Sequence, residues 1–444
     1  MRAQPTSMAF RPWLLLPLLL IVVIGAGAAR AVHAALQIEI TSGVRDPIPI
    51  AVVPFAPAPP GDGGLDVAGV VQHDLEGSGR FKALPRARMP ATPTRAEAIG
   101  AADWKAAGSD YVVVGRLAAL NNGTLAVDFD LVNTLTGVRF ATQRFTGPPG
   151  ALRNAAHRVS DAIYQKILGV RGAFATRIAY VAVDGVPPAQ HYQLMVADAD
   201  GENPRLILDS RFPIMSPAWS PDGQWLAYVS FESKLSGVYV QLVRTGERRL
   251  VSARAGINGA PAWSPDGKKL ALTLGGSSGN PDIYVLDLAT QNLTRITDDP
   301  AIDTEPEWAP DGRSLYFTSD RAGSPQIYQV SASGGHPRRI TFEGNYNARP
   351  RVSADGTELA MVTLDGTNYR IAVQDLQSGA VRVLTHGRLD ESPSFAPNGA
   401  TLLYSQREGA RGSLATVSVD GLTGARLKAQ QGEICEPAWG PFGT

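Results

Sequence analysis

Few residues in this 444-residue chain stand in spacings that do chemistry. Gly275-Gly-Ser-Ser-Gly279 fits G-x-S-x-G, the nucleophile elbow in which a strand delivers a serine to a sharp turn before a helix. Here the motif runs into Asn280-Pro281, in a polar loop between two strand-like runs, so it reads as a hairpin loop. The second candidate is a set of carboxylates, Glu305, Glu391 and Glu436, each immediately or nearly before a recurring proline. Carboxylates gathered around one opening could hold Ca²⁺, form the acid–base pair of a glycosidase or lyase, or receive a donor-rich partner. A solvated loop face is the plain alternative, and the sequence does not set their separation. The six histidines and the single Cys435 form no H-x-x-x-H or Cys-x-x-Cys frame, so neither a zinc motif nor an intrachain disulfide is expected. A lone cysteine of this kind reads as a small buried apolar residue. No metal and no cofactor is implied.

The elements that must position the carboxylates belong to a repeat. Pro217-Ala-Trp219-Ser-Pro-Asp-Gly223 recurs at Pro261–Gly267 and, with Ala for Ser, at Pro306–Gly312. Variants follow at Pro350–Gly356, with Val352 for the aromatic, and at Pro393–Gly399, with Phe395. A degraded copy, Pro437–Gly443, stands at the chain end. The central residues 219, 263, 308, 352, 395 and 439 are spaced by 44, 45, 44, 43 and 44. In Ser-Pro-Asp-Gly, proline presets φ, aspartate bonds back to the backbone and glycine accepts positive φ, so the motif is a hairpin turn. Strand-like runs such as Leu226–Ser230, Ile283–Val285 and Leu293–Thr297 follow it. Four short strands in about 44 residues is the period of a propeller blade. The last copy keeps only its inner strand. The missing partners are Arg177–Val181, His191–Val196 and Arg205–Leu208, so the ring closes between the chain end and residues near 177–183. The expectation is an all-β six-bladed propeller over 171–444.

Residues 35–170 do not repeat. Ile48–Phe55 reads as a buried strand, Leu65–Leu75 and Arg95–Ala107 as helices, and Tyr111–Val114 as a strand. Asn121-Asn-Gly123 turns into the alternating Leu125–Leu131, Thr136-Gly137 into Arg139–Phe145, and a last helix spans 152–168. This is a small α/β (α+β) domain. Ahead of it, Arg2 and Arg11, an apolar run from Trp13 to Ile24 and the small-residue site Val32-His33-Ala34 make the pattern of a secretory signal peptide over 1–34. Lys plus Arg equals Asp plus Glu at 41 each, which argues against a nucleic-acid binder driven by bulk charge.

Taken together, the leader, the domain carrying Ile-Pro-Ile-Ala-Val-Val-Pro-Phe and the six Pro-x-Trp-Ser-Pro-Asp-Gly blades closely resemble the TolB family, the periplasmic component of the Tol–Pal system of Gram-negative bacteria. Thr304-Glu305-Pro306, Leu389-Asp-Glu391 and Asn258-Gly-Ala-Pro261 add to the match. The resemblance implies a monomeric, non-enzymatic periplasmic adaptor that supports outer-membrane integrity and cell division. It implies that the channel face binds the peptidoglycan-associated lipoprotein Pal through Asn258, Gly259, Ala260, Thr304, Glu305, Tyr346, Asn347, Asp390 and Glu391. Ile257 stands where some members carry histidine. Binding of the C-terminal domain of TolA is implied for Ala35, Leu36, Gln37, Ile38, Glu39, Ile40, Thr41 and Ser42, whose alternation suits strand addition to a partner sheet.

Overall fold

The computed structural model describes residues 36–56, 64–186, 188–276, 279–409, 411–429 and 432–443. The expected export segment, Ala35 and the two serines of G-x-S-x-G lie outside them.

Strand β1 (Leu36–Ser42) comes first, followed by β2 (Ile48–Val52) and helix α1 (Val67–Gly77). Next come β3 (Phe81–Ala83), α2 (Ala101–Ala106), β4 (Tyr111–Ala119), β5 (Leu125–Asn133), β6 (Arg139–Gly147) and α3 (Leu152–Leu168). β2 to β6 form one sheet in the order β3-β2-β4-β5-β6, parallel around β2 and antiparallel from β4 onward. Alternation in β2 assigns its faces. Ile50 and Val52 pack with Val71, Leu75, Val159 and Ile163 of α1 and α3. Ala51 and Val53 pack with Trp104 of α2 on the other side. The helix expected over 95–107 is broken: Ile99 is extended, and α2 begins only after Gly100. The short strand β3 was not anticipated. α3 stops at Gly169, whose φ of 81° takes the left-handed cap that glycine adopts without strain.

The remaining strands form six sheets around a ring, as the repeat period implies, numbered here as blades one to six in chain order from the sheet of Arg177–Asp184 to that of Asp390–Phe395. Each inner strand ends on the repeat's central residue, as in Ile214–Trp219 and Asp303–Trp308. The turn that follows works as its composition dictates. In blade three, Asp266 accepts from Ser264 Oγ at 2.6 Å and from the Lys268 N–H at 3.1 Å, and Gly267 takes φ 70°. The tryptophans also tie neighbouring blades. The indole N–H groups of Trp263 and Trp308 donate to the carbonyls of Ala218 and Ala262 on the preceding inner strand, at 3.1 and 3.2 Å. The ring closes where the final strand, Glu433–Trp439, pairs antiparallel with Arg177–Asp184. Closure removes the sheet edges that an open array would expose.

β1 lies on the propeller. It pairs antiparallel with Gly424–Ala429, from Leu36 opposite Ala429 to Ile40 opposite Ala425, and is the fifth strand of blade six. Among the described residues no strand pairs with its other edge.

Candidate partner-binding face of the propeller channel

All six inner strands carry the same irregularity. Ser216, Ala260, Glu305, Arg349, Ser392 and Glu436 each precede the repeat's proline, and each has a positive φ between 45° and 55°. The strand register shifts at each of these positions. A bulge re-aims the side chain it carries, and here six bulges aim six side chains at one cleft of about 460 Å³. Left-handed backbone is uncommon for residues other than glycine, so its sixfold recurrence marks this ring as a built feature.

The ring has an ionic centre. Arg349 Nε lies 3.0 Å from Glu305 Oε1, and Arg349 Nη1 lies 3.8 Å from Glu436 Oε1. Nη1 also donates to Ser392 Oγ. The second oxygen of Glu305 accepts the Arg349 backbone N–H at 3.0 Å and the Thr318 hydroxyl at 2.9 Å. Glu436 Oε2 accepts the Ser216 N–H at 3.1 Å. Burial opposes the charge on Arg349, but Glu305, Glu436 and Glu391 more than offset it and raise its pKa. Glu305 and Glu436 are thus both engaged by the Arg349 guanidinium and by backbone amides.

Five of the nine residues expected to contact Pal line this cleft together: Asn258, Gly259, Ala260, Thr304 and Glu305. The side chain of Asn258 is turned inward at 1% exposure. It accepts from Ser252 Oγ at 2.7 Å and donates to the Arg254 carbonyl at 2.7 Å. Asn347 and Asp390 begin their own inner strands as Asn258 does, and they are buried in the same way. Asn347 donates to the Glu343 carbonyl at 2.7 Å, and Asp390, its carboxyl pKa raised by burial, accepts the Gly387 N–H. These three shape the rim from beneath. Tyr346, half-buried, packs edge-on against Tyr369 at 5.2 Å outside the cleft. Glu391 stands one residue before the ring position, which Ser392 occupies, so it is not the repeat equivalent of Glu305 and Glu436. Reading the residue before each proline would have found Arg349, which the carboxylate pattern passed over. Met215, Leu235 and Ile257 are exposed apolar residues on the same wall. The G-x-S-x-G loop follows a strand ending at Gly275 and leads into the next blade strand at Pro281, where a nucleophile elbow would require a helix.

Comparisons with known proteins agree with this architecture. Residues 36–140 match the model of the TolB amino-terminal domain, and residues 164–443 match that of the TolB β-propeller domain. The chain belongs to the TolB family. It is 48% identical to the Tol-Pal system protein TolB of Xanthomonas oryzae pv. oryzae over 420 residues, 94% of this chain and 95% of that one. It is 49% identical over an equal span to its counterpart in Xanthomonas axonopodis pv. citri. The crystal structure of TolB from Acinetobacter baumannii matches 92% of this chain and all of that one, with a TM-score of 0.84 and 44% identity. The protein is accordingly a Tol–Pal system component rather than an enzyme. Among the described residues, no helix is long and apolar enough to cross a membrane.

Proposed function

We propose that this TolB-family protein is a periplasmic adaptor. Its channel face binds the lipoprotein Pal, and the strand β1 binds TolA. The reading is carried by the convergence of Asn258–Ala260 and Thr304–Glu305, which come from two blades, on one cleft with an ionic centre and an apolar wall. A rigid rim around a cleft desolvates an inserted loop on several sides, which is where binding energy concentrates. The residue assignments at the site, a leader removed near Ala34 and a first domain ending near residue 170 belong to the same proposal.

For TolA, the supporting feature is a strand at the outer end of its sheet, one edge of which is taken by blade six and the other of which meets no further strand among the described residues. Such an edge is a template for strand addition. Peeling β1 from blade six would free both edges, so occupancy of the channel can regulate TolA binding only if Pal favours one state of β1 over the other. Solution binding to the soluble domain of Pal and to the C-terminal domain of TolA tests the two arms separately. Saturable binding supports each arm, and no binding removes it.

A further inference from the structure

His157 of α3 and Asp74 of α1 are buried together, at 2% and 3% exposure, where the first domain meets blade one. Neither lines the channel cleft. Asp74 Oδ2 lies 2.8 Å from His157 Nδ1 and accepts the Ser160 hydroxyl at 2.6 Å. The opposite edge of the ring faces the turn that follows the blade-one strand His191–Asp198. There Nε2 stands 3.8 Å from Asp198 Oδ2 and 3.9 Å from Asp200 Oδ2.

His157 is the middle of a stripe. Arg153, His157 and Asp161 recur at intervals of four, which places them on one face of α3. Arg153 ion-pairs with both Asp198 and Asp200. Asp161 accepts the backbone N–H groups of Phe174 and Ala175, at 2.8 and 3.4 Å, as the chain enters the propeller. All three side chains therefore hold the segment or the blade beyond the helix.

Asp74, His157 and Asp200 each offer a ligand atom within 4.8 Å of the others, yet the arrangement suits a proton better than a metal ion. Asp74 sits at one edge of the imidazole and Asp200 at the other, and Arg153 already occupies Asp198 and Asp200. Donors on one zinc ion must converge at about 2.0–2.2 Å from it.

We propose that His157 is an imidazolium that latches the first domain to blade one, donating Nδ1–H to Asp74 in its own domain while its Nε2–H faces Asp198 and Asp200 across the seam as an ion pair at 3.8–3.9 Å. With a neutral ring, one nitrogen would be a buried lone pair aimed at carboxylate: Nδ1 at Asp74, or Nε2 at Asp198 and Asp200. Asp74 would then sit buried beside an uncharged ring. Both Nε2 and Asp74 Oδ1 lack hydrogen-bond partners within the protein. A cavity of roughly 100 Å³ is lined by Asp74 and Asp200, polar enough to hold water beside these carboxylates. Burial would lower the pKa of His157, but Asp74, Asp198 and Asp200 outweigh it and push it up to about 10. Glu202 in the blade-one turn adds to the negative field on Arg153. Any movement of the first domain over blade one must break this contact.

The test is nitrogen NMR of the histidine rings in the mature protein, with His157 assigned by its loss in His157→Gln. The expected result is two protonated ring nitrogens at pH 7.5 and no titration of His157 between pH 6 and 8.5. Asp198→Asn with Asp200→Asn should lower its midpoint pH, so that half-protonation needs at least a tenfold higher proton concentration. His157→Gln should raise the rate of proteolytic cleavage in the segment that follows α3, Gly169–Gly172, by about tenfold or more while tryptophan fluorescence stays native. Asp200→Asn repeats that readout if His157→Gln fails to fold. A neutral tautomer at pH 7.5, a shift of the His157 resonances at one equivalent of Zn²⁺, or unchanged linker cleavage in a folded variant would overturn the latch.

Discussion

Arg349 is held twice by Glu305: one carboxylate oxygen lies 3.0 Å from the guanidinium Nε, and the other accepts the backbone N–H of the same arginine at 3.0 Å. The first contact fixes the side chain across the channel. The second fixes the left-handed backbone, φ 55°, from which that side chain springs.

Removing either partner therefore costs more than an exposed ion pair. Arg349→Ala leaves Glu305 and Glu436 without their shared cation, and we expect a loss of about 1–3 kcal/mol in urea unfolding. A double-mutant cycle with Glu305→Ala should show coupling of about 0.5–3 kcal/mol. Additive losses would mean that the pair is only a surface contact.

The inter-blade indole bonds predict a second effect. Trp308→Phe keeps the ring in its hydrophobic cluster but deletes the donor to Ala262. Stability should drop by about 1 kcal/mol or more, with the m-value unchanged. Full retention of the urea midpoint would show that the bond contributes nothing.

Much of this was legible in the sequence. Proline, aspartate and glycine act locally, so the turn at Ser264–Gly267 and the blade period could be read without tertiary knowledge. Ring closure between Trp439 and Ile178 followed from counting strands. Other features are long-range and leave no local trace. The pairing of Leu36 with Ala429 joins residues far apart along the chain. The bulge that puts Ser392, rather than Glu391, into the channel depends on the register with the neighbouring strand. Asn258, Asn347 and Asp390 look like surface residues because they are polar, yet their side chains are consumed in closing the loops around them. Arg153, His157 and Asp161 stand at four-residue intervals, but nothing in those intervals points to Asp74 on α1 or to Asp198 and Asp200 in the blade-one turn.

Cys435 provides a pH prediction. Burial, with Glu436 and Glu433 nearby, pushes its thiol up to about 12. Because the thiolate is the nucleophile, iodoacetamide at pH 8 should modify the folded protein at least about 100-fold more slowly than the urea-unfolded chain. Equal rates would place the thiol in solvent.

His157 provides another. Its folded pKa of about 10 lies above the ordinary value of 6.5, so the folded state binds the proton more tightly. The stability it contributes is fully present below about pH 6.5 and is lost as pH rises toward 10. His157→Gln should flatten that part of the stability profile. An identical decline in both proteins would assign it to other groups.

The docked strand allows a direct test of communication between the two proposed sites. Adding the soluble domain of Pal should change amide-exchange protection in Leu36–Ser42 and in its partner Gly424–Ala429. Unchanged protection at saturating Pal would show that the channel and β1 act independently.

The central claim is that the channel cleft receives Pal. Calorimetric titration of the mature protein with the soluble domain of its cognate Pal, beside Thr304→Ala and Glu305→Ala, tests it most directly. The account predicts saturable 1:1 binding that weakens in both variants while their fold is retained. No heat at tens of micromolar, or equal affinity in all three proteins, would contradict it.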